Sequence, residues 1–192
     1  MPPHLILASA SPRRAELLRQ IGVCFEVRTA DVPEVYQPGE HPQAYVSRLS
    51  LDKANKLAAS TMLPVLGADT VVVCDGAVLE KPRDLAQGVA MLMTLGNRSH
   101  QVMTGVALVK DSRTQQIVVT TEVTFGPISP EQALAYWHTG EPCDKAGGYA
   151  IQGLGAVFVA RMDGSYSNVV GLPVYETAQL LRAFAVPTWQ AR

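Results

Sequence analysis

Residues 5–22 read LILASASPRRAELLRQIG, and their pattern indicates the fold class. An apolar run at 5–8 is typical of a strand, and after a serine-rich loop the leucines recur at helical spacing. We expect Ser11 to cap the helix, Pro12 to take its first position and Gly22 to end it in a left-handed conformation. Strand, loop and helix in this order predict helices packed on a β-sheet.

The rest of the chain continues the alternation of strands and helices. Further strands are expected at 23–29, 64–74, 101–110, 115–125 and in AVFVAR at 156–161, and further helices at 43–58, 84–95, 130–139 and 172–184. Asp75-Gly76 between two apolar runs is a strong hairpin signal. The pattern predicts one α/β (α+β) domain over residues 1–192, with a mixed central β-sheet flanked by helices.

Composition excludes several classes of protein. The chain has 192 residues, 47% hydrophobic and 17% charged, which fits a globular domain and excludes disordered, collagen-like and coiled-coil chains. Sixteen basic and seventeen acidic residues give a net charge of -1, so we expect no nucleic-acid partner. Any anion site must therefore be local.

The cysteines and the apolar runs bear on location. Cys24, Cys74 and Cys143 are odd in number and form no CxxC, which indicates neither a disulfide framework nor a thiolate zinc site. No apolar stretch approaches the roughly 18 residues that a membrane-spanning helix needs. We expect a cytoplasmic protein without a membrane partner.

A candidate anion site lies where the first strand meets the first helix. Ser9, Ser11, Arg13 and Arg14 surround a helix N-terminus, where free N–H groups and the helix dipole attract phosphate. Arginine in a first turn opposes the dipole, which calls for a reason. The alternative is a capped surface helix with solvated arginines.

Three acidic residues lie beside predicted β structure. Asp31 and Glu34 are in a polar loop, and Asp69 interrupts the apolar run LGADTVVV. Burying such a carboxylate is costly unless a cation or hydrogen bonds keep it charged. Asp69 and Glu34 could bind magnesium or manganese, which prefer oxygen ligands. The alternative is an aspartate that bonds a backbone turn at the end of a strand.

Cations and glycines form the remaining candidates. Lys53 lies on an apolar helical stripe, and Lys81 and Lys145 follow in LEKP and DKAGGY. Each lysine alone fits a solvated side chain, but together they could surround a polyphosphate. In GEPCDKAGGYAIQGLG at 140–155, Gln152 offers a donor and an acceptor for a base edge, although a glycine-rich turn could be purely structural.

Several long segments, in order, resemble the Maf family of nucleoside triphosphate pyrophosphatases over nearly the whole chain. They are LASASPRRAELL, DVPE, LGADTVV, LEKP, HQVMTGVAL, GEPCDKAGGYAIQGLG and GSYSNVVGLP. The resemblance implies hydrolysis of a nucleoside triphosphate to the monophosphate and pyrophosphate with Mg²⁺ or Mn²⁺. It also implies a nucleotide-binding cleft in a mixed α/β fold, a homodimer, and a link to septum formation.

The resemblance also implies roles for particular residues. Phosphate contacts are expected for Ser9, Arg13, Arg14, Lys53 and Lys81. Glu34 would support the metal, and Asp69 would act as the catalytic base, a metal ligand or both. The DKAGGYAIQG segment is similar to that of the branch acting on dTTP and UTP, and modified pyrimidine nucleotides are further candidate substrates. The resemblance implies that Thr70 and Gln152 lie near the pyrimidine.

Two other functions stay open on the sequence. One is a nucleotide-binding regulator of cell division or septum formation with little turnover. The other is a phosphatase that releases orthophosphate instead of pyrophosphate. The combination of Asp69, Glu34 and Lys81 favours the enzyme, because a pure binder has no need of a base beside a metal-binding acid.

Overall fold

The fold is that of a computed structural model, which describes residues 2–190. The strands found there are β1 (Leu5–Leu7), β2 (Phe25–Val27), β3 (Val65–Cys74), β4 (Ala77–Leu79), β5 (Ser99–Lys110), β6 (Arg113–Phe125) and β7 (Val159–Asp163). The α-helices are α1 (Pro12–Gln20), α2 (Pro42–Ala58), α3 (Leu85–Leu95), α4 (Pro130–Trp137), α5 (Tyr166–Val170) and α6 (Val174–Ala183). Short 3₁₀ turns cover Glu141–Asp144, Ala146–Gly148 and Leu154–Phe158.

The strands form one mixed sheet in the order β2-β1-β3-β5-β6-β7, with β4 also paired to β3. β1 runs parallel to β2 and to β3, with Ile6 opposite Glu26 on one side and Val65 on the other. β4 is antiparallel to β3, and β7 is antiparallel to β6. This confirms the predicted mixed α/β fold with a central sheet.

Two compact units divide the described residues. The first contains 2–69, 104–119 and 171–190, and the second contains Thr70–Met103 and Thr120–Val170. Strands β3, β5 and β6 contribute residues to both units. That residues 1–192 act as a single domain stays a prediction.

In the first unit, α2 lies very close to the sheet because glycines face it. A Cβ built on Gly67 of β3 would overlap the Ser50 carbonyl and lie 2.8 Å from the Ala54 nitrogen. A Cβ on Gly105 of β5 would lie 2.6 Å from the carbonyl carbon of Val46. The glycines therefore let the backbone of α2 pack against the strands, and an apolar cluster fills the contact: Ile6, Ala8, Ala54, Val65, Ala107 and Val109.

The second unit has its own core. Helix α3 packs against α4, and Ser129 caps α4 by accepting a hydrogen bond from Gln132 N at 3.2 Å. Aromatic rings meet edge to face beneath the helices, with Phe125 and Tyr149 centroids 4.7 Å apart. Apolar side chains surround them, among them Val72, Leu92, Leu95, Val102, Val123 and Phe158.

Three local predictions differ from the structure. Residues 154–158 form a 3₁₀ turn, so the strand expected from AVFVAR begins only at Val159. Helix α5 was not predicted, because five residues are too few to show helical periodicity. Ser11 occupies the N-cap position of α1 but its side chain makes no capping bond. Gly22 has the expected positive φ of 69°.

No helix within 2–190 is long and apolar enough to cross a bilayer.

Candidate functional site

Ser9 and Arg14 are joined where β1 leads into α1. Ser9 Oγ accepts a hydrogen bond from Ser11 N at 3.2 Å and another from Arg14 Nη1 at 3.1 Å. Arg14 Nε also donates to the Gly171 carbonyl at 2.8 Å. Ser9 thus holds the residue that precedes α1 and the Arg14 guanidinium, and no side chain caps the helix itself. These contacts explain why an arginine is found in the first turn of α1: two neutral oxygens, of Ser9 and Gly171, accept hydrogen bonds from the Arg14 guanidinium.

Lys53 brings the two predicted metal-binding acids together. Its Nζ lies 2.7 Å from Asp69 Oδ1 and 2.6 Å from Glu34 Oε1. The side chains of Lys53 and Asp69 are 9% and 10% exposed, whereas that of Glu34 is 45% exposed. The lysine on the apolar stripe of α2 is therefore a buried counter-ion for a strand carboxylate.

The charges of this cluster act on one another in a poorly solvated place. Burial raises the pKa of the Asp69 carboxyl, and the positive charges of Lys53 and Arg14 oppose this rise. Burial also lowers the pKa of the Arg14 guanidinium, while the negative charge of Asp69 partly offsets that effect. Ser9, Arg14, Glu34, Lys53 and Asp69 thus form one cluster of coupled polar groups, which we call the Asp69 cluster.

The other predicted site residues lie outside these contacts. Arg13 is partly buried beside Arg14, and within residues 2–190 it has no ion-pair partner. Thr70 follows Asp69 directly in β3 and is partly buried. Lys81 and Gln152 belong to the second unit and are exposed. Their roles at the substrate stay predictions.

The donor chemistry of the Asp69 cluster fits a hard divalent cation only in part. Glu34 and Asp69 supply carboxylate oxygens that already converge on one cationic atom, Lys53 Nζ. In the part of the chain that the structure describes, no group of three or more His, Cys, Asp or Glu side chains could hold a metal ion. A magnesium or manganese ion would therefore need further oxygen ligands from substrate phosphates or water.

Tyr136 and Glu141 were not singled out in the sequence, although their side chains hydrogen-bond the segment that carries Gln152. Tyr136 Oη donates to Glu141 Oε1 at 2.7 Å and accepts from Ala150 N at 3.1 Å. The quoted stretch 140–155 contains Glu141, but nothing in the letters indicates which backbone groups its carboxylate would accept. Such contacts depend on the path of the loop and have no fixed sequence spacing.

Fold and site together define the class of protein. The buried Asp69 carboxylate lies 2.7 Å from Lys53 Nζ and is influenced by the charge of Arg14, which hydrogen-bonds Ser9 at the start of α1, on a mixed α/β sheet. This arrangement suits a phosphate-bearing ligand next to a group that can accept a proton.

Comparison with known proteins then gives the family. The family model described as Maf-like protein matches residues 4–184, and the chain belongs to this family, which confirms the resemblance. A dTTP/UTP pyrophosphatase of Saccharophagus degradans is 56% identical over 191 residues, covering 97% of this chain and 91% of the relative. One of Vibrio cholerae is 54% identical over 184 residues, covering 94% and 97%.

Proposed function

We propose that this protein hydrolyses nucleoside triphosphates, dTTP and UTP foremost, to the monophosphate and pyrophosphate. The observation that carries the proposal is the buried Asp69 carboxylate, held 2.7 Å from Lys53 Nζ and influenced by Arg14. Relatives named dTTP/UTP pyrophosphatase, at 52–56% identity, support this choice of substrates. Modified pyrimidine nucleotides are further candidate substrates.

Asp69 is assigned the proton-accepting role. Breaking the bond between the α and β phosphates requires a water molecule in line with the leaving pyrophosphate. A carboxylate whose pKa is raised by burial accepts a proton more readily than a solvated one. Asp69 therefore orients or deprotonates the attacking water.

The cations are assigned to the phosphates. Negative charge moves onto the pyrophosphate oxygens as the bond breaks, and fixed positive charge lowers the energy of that state. Arg13, Arg14, Lys53 and Lys81 supply this charge, and the Ser9 hydroxyl adds a donor. Thr70 and Gln152 are assigned to the pyrimidine base.

A divalent cation completes the proposal. Glu34 and Asp69 would hold Mg²⁺ or Mn²⁺ through carboxylate oxygens, and oxygens of phosphate or water would complete the coordination. The ion would neutralise negative charge on the phosphate oxygens. Removing divalent ions with a chelator should abolish turnover, and adding Mg²⁺ or Mn²⁺ should restore it.

The setting of the enzyme is also a proposal. Three free cysteines, Cys24, Cys74 and Cys143, suit a reducing compartment, so we place the protein in the cytoplasm. We further propose that residues 1–192 act as one functional domain in a homodimer, without a nucleic-acid or membrane partner.

Product analysis tests this function. The purified protein is incubated with a panel of nucleoside triphosphates and Mg²⁺ or Mn²⁺, beside the variants Asp69→Asn and Asp52→Asn. Asp52 is a matched control, because it lies next to Lys53 on α2 with a side chain 47% exposed. We expect monophosphate and pyrophosphate, fastest with dTTP and UTP, and a loss of roughly 100- to 10,000-fold in Asp69→Asn only.

Three other outcomes would contradict the proposed function or the role of Asp69. Release of orthophosphate would indicate a phosphatase. Stoichiometric nucleotide binding without any product would favour a nucleotide-binding regulator of cell division. Full activity in a folded Asp69→Asn protein would remove Asp69 from the mechanism.

A further inference from the structure

The segment that carries Gln152 is held by side chains rather than by a sheet. Glu141 Oε2 accepts a hydrogen bond from Leu154 N, and its Oε1 accepts one from Gly155 N, each at 2.9 Å. Tyr136 Oη accepts from Ala150 N at 3.1 Å and donates to Glu141 Oε1 at 2.7 Å. Backbone N–H groups on both sides of Gln152 therefore end on one Tyr136–Glu141 pair.

The glycines that follow Gln152 leave room for this pair. A Cβ built on Gly153 would lie 2.6 Å from Glu141 Cδ, and one built on Gly155 would lie 2.6 Å from Tyr136 Oη. Gly153 has a φ of −119°, so the obstacle to a side chain there is the Glu141 carboxylate and not a left-handed backbone. Gly153 and Gly155 thus leave space for the Tyr136–Glu141 pair, which we call the clamp.

The pair keeps fixed donor and acceptor roles near neutral pH. Although partial burial alone would raise the pKa of Glu141, hydrogen bonds from Tyr136, Gly155 and Leu154 outweigh it and lower the pKa. Burial and the bond to Glu141 raise the pKa of Tyr136. Glu141 therefore stays an anionic acceptor and Tyr136 stays a neutral donor.

Gln152 itself is exposed, so the backbone on either side fixes the position of its Cα and the direction of its Cα–Cβ bond. An amide discriminates between bases only when its donor and acceptor are held at a defined position, because a misplaced hydrogen bond loses most of its energy. A freely moving loop would have to be ordered on each binding event, at a cost in conformational entropy.

We propose that Tyr136 and Glu141 are positioning residues, which hold the loop so that Gln152 selects the pyrimidine base. This inference rests on the proposed function, because it assigns Gln152 to the base. Neither side chain needs to touch the nucleotide for this role. Disturbing the pair should change base selectivity and leave the phosphate contacts as they are.

Four variants test the proposal: Glu141→Ala, Glu141→Gln, Tyr136→Phe and Gly153→Ala. For each, kcat/KM is measured for dTTP, UTP, dATP and GTP, together with inhibition by inorganic pyrophosphate, which has no base. We expect KM for dTTP to rise about tenfold and the preference for dTTP over dATP to fall by a similar factor in Glu141→Ala. We expect kcat and the inhibition constant of pyrophosphate to change less than about threefold.

The conservative variants should rank in a defined order. Glu141→Gln keeps one acceptor oxygen but turns an amide donor toward a backbone N–H, so its loss of selectivity should lie between wild type and Glu141→Ala. Tyr136→Phe removes the bonds to Ala150 N and to Glu141, and it should also lose selectivity. Glu131→Gln, an exposed carboxylate on the same helix α4, is the matched control and should match wild type.

A double-mutant cycle separates the clamp from general damage. Gly153→Ala should lower selectivity in the wild-type background, because the new methyl group displaces the Glu141 carboxylate. In a Glu141→Ala background that obstacle is absent, so Gly153→Ala should have little further effect. Additive losses in the double variant would contradict the clamp.

Different results would overturn the role of the clamp and the assignment of Gln152 to the base. Unchanged base selectivity in folded Glu141→Ala and Tyr136→Phe, with selectivity lost in Gln152→Ala, would overturn the inference alone. Unchanged selectivity in Gln152→Ala would overturn both the base contact and the clamp that serves it. If Glu141→Ala does not fold, Glu141→Gln, Tyr136→Phe and Gly153→Ala still decide the question.

Discussion

Lys53 and Asp69 form a buried ion pair in which Nζ lies 2.7 Å from Oδ1, with side chains 9% and 10% exposed. Removing both charges from water is costly, and the pair is stable only because each ion compensates the other. Burial raises the pKa of Asp69, so its negative charge depends on the lysine. The pair therefore couples the folding of α2 onto β3 to the chemical state of the proposed base.

Replacing Lys53 with Met should leave a buried carboxylate without its main counter-ion. We expect the free energy of unfolding to fall by about 3 kcal/mol, at the lower end for a broken buried pair because Glu34 is partly solvated. Urea denaturation at pH 7 measures this. Lys56→Met, which changes an exposed lysine on the same helix, should cost little.

The double variant Lys53→Met/Asp69→Asn checks the cause. It removes both charges, so it should regain much of the stability lost in Lys53→Met. A double variant as unstable as the sum of its single changes would show that the ion pair is not what Lys53 contributes.

A methyl group on Gly67 should push α2 away from β3. The added Cβ would overlap the Ser50 carbonyl and lie 2.8 Å from the Ala54 nitrogen, and backbone atoms cannot turn aside as side chains do. We expect Gly67→Ala to lower the free energy of unfolding by about 2 kcal/mol or more and to reduce turnover, since Lys53 moves with α2.

Gly126→Ala is the matched control for this change. The atom nearest to a Cβ built there, the Phe158 carbonyl oxygen, would lie 4.0 Å away, so the substitution should be tolerated. Equal stability of Gly67→Ala and Gly126→Ala would contradict the close approach of α2.

Local sequence patterns predicted much of the Asp69 cluster. Helical spacing placed Lys53 on a buried stripe, and the apolar run around Asp69 marked a carboxylate that needed compensation. That these two residues meet each other could not be predicted from pattern alone. They are 16 residues apart in the chain and are joined by the packing of α2 on β3, which depends on Gly67.

The loop around Gln152 was predicted less well. Its glycine content was visible, but the partners of its backbone N–H groups, Glu141 and Tyr136, follow from the three-dimensional path of the segment. Residues 156–158 of the predicted strand belong to the 3₁₀ turn Leu154–Phe158, because a short apolar run fits either conformation.

Neighbouring arginines Arg13 and Arg14 should respond differently to truncation. Arg14 donates to Ser9 and to the Gly171 carbonyl, whereas Arg13 has no ion-pair partner within residues 2–190. Arg14→Ala should therefore lose about 1–3 kcal/mol of stability as well as activity. Arg13→Ala should keep its stability and raise KM for dTTP about tenfold or more, as expected for a lost phosphate contact.

Thermal unfolding and steady-state kinetics on both variants check this contrast. Arg13→Lys keeps the charge and should recover part of the affinity that Arg13→Ala loses. Equal loss of stability in Arg13→Ala and Arg14→Ala would contradict the expectation that, of these two arginines, only Arg14 stabilises the fold.

His100 should make the stability of the protein fall in acid. It is 3% exposed, its Nε2 lies 2.8 Å from Tyr149 Oη, and burial lowers the pKa of its imidazole to about 4. The unfolded chain protonates this group near pH 6.5, so between pH 6.5 and about 4 protons bind the unfolded state preferentially. The contribution of His100 to stability is therefore full well above pH 6.5, and this contribution should fall by about 3 kcal/mol on going down to pH 4.

His100→Gln isolates this contribution, because glutamine can hydrogen-bond Tyr149 but does not titrate. The difference in unfolding free energy between wild type and His100→Gln should be constant above pH 7 and change by about 1.4 kcal/mol per pH unit in the acid range. A wild type and His100→Gln with parallel stability curves from pH 8 to pH 4 would mean that His100 takes up its proton in the folded state as easily as in the unfolded one.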